Sequence, residues 1–201
     1  MLLATTIDIQ DLPARERMLQ TAHRLFYQDG IRATGIDKVI AESGVTKVTL
    51  YRHFASKNDL ICAYLEYRHT LWIDWFADAL RRHGSAKRGA EKRLTALPLA
   101  LSEWFGSEGF RGCAFINSVA ELGDTLPQAN EIVRRHKQDM TDLLANLLPP
   151  SQMQAQDAKA MALVVEGAIV RVQLGEPVPA VITSVARLLA LFVLAQTTKG
   201  V

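Results

Sequence analysis

The segment from Gly44 to Lys57, GVTKVTLYRHFASK, constrains the fold of this chain more than any other. A glycine precedes a short helix whose apolar residues, Leu50 and Phe54, are four apart and so share one face. The other positions offer hydroxyls, a phenol and cations. Because a helix of about two turns is not stable alone, the rest of the chain must hold it. Its polar face suits a polyanionic groove, so the segment predicts the second helix of a helix-turn-helix, the element that enters DNA.

The residues before this segment predict two supporting helices. Apolar residues recur at helical spacing up to Gly30, namely Met18, Leu19, Ala22, Leu25 and Phe26. A second, shorter helical face covers residues 35–43, and Gly44 follows where a helix end favours a positive φ. Thr46 is expected to open the next helix as its N-cap. Helices this close together, with glycine at both stops, indicate a compact trihelical unit.

Over about Arg15–Tyr64 the chain resembles the tetracycline-repressor (TetR) family of bacterial transcription regulators. The matching residues are Ala22, Leu25, Phe26, Gly30, Ala41, Gly44, Val45, Leu50, Tyr51, Phe54, Lys57 and Leu60. The resemblance implies an all-α fold: an N-terminal helix-turn-helix DNA-binding domain in residues 1–57, and a C-terminal ligand-binding and dimerisation domain in residues 58–201.

Three positions depart from the family pattern. Gly35 stands where Thr is usual, so either Thr34 or Gly35 itself must cap the second helix. Ile40 replaces a usual Ala. Val48 replaces a usual small residue on the DNA-facing helix, and this change affects which operator sequence is read.

Composition and charge restrict the class of protein. The chain has 201 residues, of which 49% are hydrophobic, enough for a folded core. No apolar run reaches the ~18 residues that span a bilayer, and the start of the chain lacks the pattern of a signal peptide. The two cysteines, Cys62 and Cys113, are far apart and form no CxxC pair. We therefore expect a cytoplasmic protein with free thiols and no membrane segment.

The positive charge is concentrated in the predicted head. Residues 15–57 hold eight Lys or Arg and four Asp or Glu, whereas residues 58–201 hold fifteen of each kind. Phosphate contacts need such an excess, because the release of counterions drives much of DNA binding.

The rest of the chain predicts helices and no sheet, about nine helices in all. Ser56 and Asp59 form a capping box for the fourth helix, which we expect to end near His83. The later helices are expected over 86–105 with a kink at Pro98, then 113–122, 127–148, 152–174 and 177–197. No stretch alternates with a period of two over a convincing length.

The resemblance and the outer face of the short helix give a set of DNA-contact residues. We expect base or backbone contacts from Lys47, Thr49, Tyr51 and His53, and phosphate contacts from Thr46 and Lys57. Other interpretations stay open: Thr46 as a cap only, Tyr51 as a ring wedged between helices, and both lysines as solvated charges.

The last two helices are apolar over a wider stripe than one core face needs. We expect a two-fold dimer interface there, formed by Val165, Ile169, Val172, Val185, Leu189 and Phe192. Core packing inside one chain is the simpler interpretation.

Aromatic residues outside the head are candidates for the wall of an effector cavity, and polar residues on apolar faces for its orienting groups. The aromatic candidates are Trp72, Trp75, Trp104 and Phe115, and the polar ones are Asn117, Glu121 and Glu166. Each can equally be ordinary core or a bridge between helices. The lining indicates a small lipophilic or aromatic effector.

No enzyme motif is present, and the five histidines have no ligand-like spacing, so we predict neither catalysis, nor a metal, nor a cofactor. The sequence thus favours a homodimeric transcription regulator, a repressor that leaves a palindromic operator when the effector binds. Rival readings are a regulator without effector, an activator, a redox sensor through Cys113, and a small-molecule binding protein whose head contacts another protein.

Overall fold

The computed structural model describes residues 9–84 and 93–197, with side chains described for residues 10–84 and 93–192. Within these ranges the chain contains nine α-helices and no strand, which confirms the predicted all-α class. The helices are α1 (Ala14–Asp29), α2 (Ile36–Ser43), α3 (Lys47–His53), α4 (Lys57–Gly84), α5 (Ala96–Phe105), α6 (Ala114–Leu122), α7 (Pro127–Ala145), α8 (Gln154–Gln173) and α9 (Val178–Thr197). No helix in this described part has the length and apolar composition that crossing a membrane demands.

By its internal contacts the chain divides into two compact units. Unit 1 comprises Met1–Trp72 and Cys113–His136, and unit 2 comprises Ile73–Gly112 and Lys137–Val201. Residue 57 lies inside unit 1, at the first residue of α4. The division into a DNA-binding domain of residues 1–57 and a ligand-binding domain of residues 58–201 therefore stays a prediction.

The first three helices of unit 1 pack on one another through the apolar faces that the sequence indicates. Met18 and Leu25 of α1, Val39 of α2 and Leu50 of α3 are all buried. Burying side chains of this size stabilises the fold by about 1.5–3 kcal/mol each. This small core therefore holds α3, which is too short to be stable alone.

The ends of these helices follow local rules. Gly44 adopts the left-handed conformation, with φ of 65°, and ends α2 as predicted. Gly35 stands directly before the first residue of α2 and has no side chain that could cap the helix. The Thr34 hydroxyl donates instead to Gly30 O at 2.7 Å. Glycine itself therefore occupies the cap of α2. Ser56 Oγ accepts the Asp59 amide at 3.1 Å, which confirms Ser56 as the cap of α4.

Unit 2 contains α5, α8 and α9, which pack on one another. Two predicted boundaries differ. Of the helix expected over 86–105, residues 86–92 lie outside the described residues, Arg93 and Leu94 are helical, and Thr95 interrupts the helix before α5 begins at Ala96. Pro98 lies in the first turn of α5 and has no amide hydrogen to donate to Leu94 O, so the break falls where the kink was expected. The helix expected to reach Leu148 ends at Ala145, because Leu147 and Leu148 are buried in the following turns.

Candidate nucleic-acid interface

Two buried side chains anchor α3. Leu50 is fully buried, Phe54 is nearly so, and the Arg15 guanidinium lies 5.2 Å from the centroid of the Phe54 ring. At its start, Thr46 Oγ1 accepts the Thr49 amide at 3.2 Å, which confirms Thr46 as the N-cap. One side of this short helix is therefore fixed to the core of unit 1, and the opposite side is left exposed.

The exposed side of α3 carries two adjacent rows of residues. Lys47 and Tyr51 form one row and Val48 and Arg52 the other, each pair at the i, i+4 spacing that places side chains next to each other. His53 is also exposed. The rows present an ammonium, a phenol, a guanidinium and two methyl groups, which are the groups that bind phosphate oxygens, base edges and the thymine methyl.

The structure places the predicted contact residues unequally on this face. Lys47, Tyr51 and His53 are exposed, whereas Thr49 is half-buried with its Oγ1 2.9 Å from Thr46 Oγ1. The predicted contact set lacked Val48, which is 62% exposed, more than the 43% of Tyr51. That set also lacked Arg52, whose side chain is exposed. Val48 and Arg52 have the same i, i+4 spacing as Lys47 and Tyr51 and each follows one of them directly, which was the signal that would have added both residues.

Lys57 has a different environment from Lys47. Its ammonium donates to Ile31 O at 2.7 Å and lies 6.0 Å from the centroid of the Phe26 ring. Burial lowers the pKa of Lys57, and the Glu121 carboxylate partly opposes this effect. Lys57 therefore supports the turn between α1 and α2, and a phosphate contact would use its remaining donors.

Ion pairs on α1 and α2 account for part of the charge in this region. Arg24 pairs with Glu42, and Lys38 pairs with Asp29 at 2.8 Å. Two acidic residues of this region, Glu42 and Asp29, are thus paired with cations of α1 and α2 and not with cations of α3. Lys47 and Arg52 on the exposed face thus keep their charge available to a polyanion.

Four of the seven effector candidates lie in unit 1. Trp72 and Phe115 are buried, and Phe115 stacks on His136 with ring centroids 3.6 Å apart and planes 16° apart. Asn117 is half-buried on α6. The Glu121 carboxylate accepts the Arg32 amide at 2.8 Å, so it is bonded to the main chain of the α1–α2 turn. His136 had no sequence signal, because it is a single histidine in a polar helix.

The other three effector candidates lie in unit 2. The Trp75 indole donates to Glu103 at 3.2 Å, and Trp104 is buried against neighbouring phenylalanine rings. Glu166 pairs with Lys137 at 3.1 Å. All of these candidates except Asn117 thus have a described packing or pairing role within their own unit, and an effector site formed by the seven stays a prediction. In the described ranges no group of three His, Cys, Asp or Glu side chains is placed to hold a metal ion.

The subunit interface stays a prediction, and the structure places the residues expected there in two environments. Val165, Ile169, Val185 and Leu189 are buried within the chain itself, so their side chains belong to the core of unit 2. Val172 and Phe192 are half-buried. Both helices nevertheless expose other large apolar residues: Leu163, Val170 and Leu174 on α8, and Leu188 and Leu191 on α9.

Comparisons with known proteins agree with this geometry. Residues 18–64 match the family described as bacterial regulatory proteins, tetR family. The transcriptional activator FasR of Mycolicibacterium smegmatis is 30% identical over 158 residues, which cover 76% of this chain and 68% of FasR. The uncharacterised transcriptional regulator YerO of Bacillus subtilis is 40% identical over 53 residues, which cover 26% of this chain but only 18% of YerO.

Solved structures extend the similarity to most of the chain. The TetR-family transcriptional regulator SCO4454 of Streptomyces coelicolor superposes with a TM-score of 0.76 at 32% identity, over 88% of this chain and 92% of that one. The reduced form of Escherichia coli NemR gives a TM-score of 0.72 at 20% identity, over 87% and 96% of the two chains. At that identity NemR supports the fold alone.

Proposed function

Since the chain belongs to the TetR family of DNA-binding transcriptional regulators, we propose that it is a homodimeric repressor of a palindromic operator. A small lipophilic or aromatic effector releases it from that operator. The observation that carries the DNA-binding part is the exposed face of α3, held from behind by Leu50 and Phe54. With DNA as its ligand, the protein acts in the cytoplasm.

The exposed face of α3 supports binding in the major groove. A helix fits that groove, and Lys47, Tyr51 and Arg52 offer hydrogen-bond donors at its surface. Val48 and Thr49 carry methyl groups that can meet thymine. Thr46, His53 and Lys57 lie at the ends of α3 or just beyond, where phosphates flank a docked helix.

The exposed apolar face of α8 and α9 supports a dimer. Leu163 and Leu174 are 70% and 75% exposed and, with Gly167 and Val170 between them, recur at the spacing of one helix face. Leu188 and Leu191 add two exposed leucines on α9, which packs beside α8. An apolar face of this kind marks a surface that a partner covers, and a second copy satisfies it with two-fold symmetry.

Replacing Leu163 and Leu174 by glutamate should convert the dimer into a monomer. Four like charges would then be brought into one apolar interface, at a cost far above the gain from the remaining contacts. Light scattering coupled to gel filtration measures the mass directly. The matched control is Val119→Glu, which adds a charge at an exposed apolar position of α6 and should stay dimeric. A double variant that kept the wild-type mass would contradict this interface.

Selection from a random double-stranded DNA library tests the operator. We expect an enriched inverted repeat, protected as two half-sites on one face of the duplex. The affinity of the protein for this repeat should fall steeply as the salt concentration rises, because binding releases counterions from the DNA. Enrichment of no inverted repeat at low ionic strength would contradict the proposal.

Activation is the second candidate function, because FasR, a relative aligned over 76% of this chain, is named as an activator. A reporter gene placed behind the selected operator separates the two. Expression that rises when the regulator is deleted supports repression, and expression that falls supports activation.

A screen of lipophilic and aromatic compounds tests the effector. A compound that binds the folded protein raises its melting temperature, and a true effector must also weaken operator binding, since the coupling between the two sites is reciprocal. Compounds that stabilise the protein but leave operator affinity unchanged would not be effectors.

A further inference from the structure

The turn between α1 and α2 is bonded to a helix far away in the sequence. The Arg32 amide donates to Glu121 Oε2 at 2.8 Å across 89 residues of sequence. Gly30 has a φ of 93°, and a Cβ at this position would lie 3.2 Å from the same carboxylate oxygen. The Glu121 carboxylate of α6 therefore lies directly against the main chain of the turn.

The first three residues of this turn, Gly30, Ile31 and Arg32, each have one backbone group bonded to a side chain. Gly30 O accepts from the Thr34 hydroxyl at 2.7 Å, and Ile31 O accepts from the Lys57 ammonium at 2.7 Å. The Arg32 amide completes the set with Glu121. The three side chains come from the turn itself, from the start of α4 and from α6, so the turn is held from three directions.

The bond from Glu121 is stronger than an ordinary turn contact. A carboxylate that accepts a backbone amide makes a charge-assisted hydrogen bond, worth about 1.5–3 kcal/mol. The Lys57 ammonium, bonded to Ile31 O of the same turn, has the opposite charge and interacts with the Glu121 carboxylate. Because α1, α2 and α3 pack on one another, a bond from α6 to this turn ties all three helices, and with them the exposed face of α3, to α6.

We propose that Glu121 is a positioning residue for operator binding, which fixes the orientation of α1–α3 on α6 through the Arg32 amide. When two copies bind an inverted repeat, the direction in which each α3 points within unit 1 contributes to the half-site spacing that the pair accepts. The inference rests on the proposed dimeric binding of an inverted repeat. It gives Glu121 a role different from the effector contact that its place in the sequence suggested.

The test measures affinity for the selected inverted repeat and for versions with one or two base pairs added to or removed from its spacer. The wild type should prefer the native spacer sharply. Glu121→Ala should bind the native spacer about tenfold more weakly and discriminate less between spacers. Glu121→Gln, which keeps an oxygen acceptor for the Arg32 amide, should retain most of the preference.

The matched control is Glu66→Ala. It removes a different glutamate of unit 1, which pairs with Arg135 on the surface and has no bond to the turn. Hydrogen exchange of the Arg32 amide supplies a second readout: it should quicken in Glu121→Ala, remain protected in Glu121→Gln and be unchanged in Glu66→Ala. If Glu121→Ala does not fold, Glu121→Asp, one methylene shorter, gives the same comparison.

The outcomes separate the two proposals. A wild type with a sharp spacer preference that Glu121→Ala keeps in full would overturn the positioning role and leave the proposed function intact. Equal loss in Glu66→Ala would overturn it too, because the effect would then be one of general stability. A wild type that selects no inverted repeat would defeat the proposed function and, with it, this inference.

Discussion

Replacing Lys47 and Tyr51 together by alanine is expected to lower affinity for the selected operator about 100-fold or more while the protein stays folded and dimeric. Both side chains lie on the exposed face of α3, and each specific contact to DNA is worth about 1–3 kcal/mol. Their removal leaves no cavity, because the anchors of α3 are Leu50 and Phe54. Stability should therefore change by no more than about 0.5 kcal/mol, as for surface substitutions in general.

The single variants assign a role to each residue. If Lys47 contacts a phosphate, Lys47→Ala should weaken binding to all sequences alike. The slope of log affinity against log salt concentration should then become shallower by about one per subunit. If it contacts a base, the selected sequence should instead relax at one position in each half-site. Tyr51→Phe removes only the hydroxyl, so it separates a hydrogen bond to phosphate from packing of the ring.

A matched control for the double variant removes one cation and one large side chain elsewhere. Arg134→Ala combined with Leu99→Ala does this at two exposed positions outside α3, and should leave operator affinity unchanged. Gel-shift titration and circular dichroism measure affinity and folding on the same samples. Native affinity in the Lys47/Tyr51 double variant would show that the proposed contact residues are wrong.

The helix-turn-helix could be predicted from the sequence because its determinants are local. The glycine at position 44, the Thr46 cap and the Leu50/Phe54 pair each act within four residues, and each has the role that its neighbours predict. The family resemblance is concentrated in the same segment. Interactions within a few residues of sequence can be predicted without knowledge of the tertiary contacts.

The contacts of α6, α8 and α9 could not be predicted, because they depend on partners distant in sequence. Glu121 resembled a polar group facing a cavity, yet its partner is a main-chain amide that no side-chain pattern reveals. On α8 and α9 nearly every face is apolar, so periodicity could not distinguish buried Val165 from exposed Leu163. The same holds for Phe115 and His136, whose stacking depends on how α6 and α7 pack.

Acid should destabilise this protein through His23, well before its carboxylates are fully protonated. The His23 ring is buried, and burial, with the Arg68 guanidinium adding to it, lowers the pKa of His23 from 6.5 to about 3. Arg68 lies 3.3 Å from His23 Nε2 and also packs on the Tyr27 ring, so the imidazole is held neutral beside a fixed cation. The rings of Tyr64 and Tyr67 cover its other sides.

The direction of the pH dependence follows from which state binds the proton. Between pH 6.5 and about 3 the unfolded chain protonates His23 and the folded chain does not. The free energy of unfolding therefore falls as the pH falls through this window, by up to about 1.4 kcal/mol per pH unit. At pH 5 the loss from this one residue should be about 2 kcal/mol, a large part of the stability of an ordinary domain.

Urea unfolding at pH 7 and pH 5 measures this loss, and His23→Gln isolates it. Glutamine keeps a carbonyl acceptor for Arg68 but does not titrate, and every carboxylate titrates alike in the two proteins. The wild type should therefore lose about 2 kcal/mol more than His23→Gln between the two pH values. An equal loss in both proteins would mean that His23 takes up its proton without unfolding unit 1, and that Arg68 and the surrounding rings do not exclude that proton.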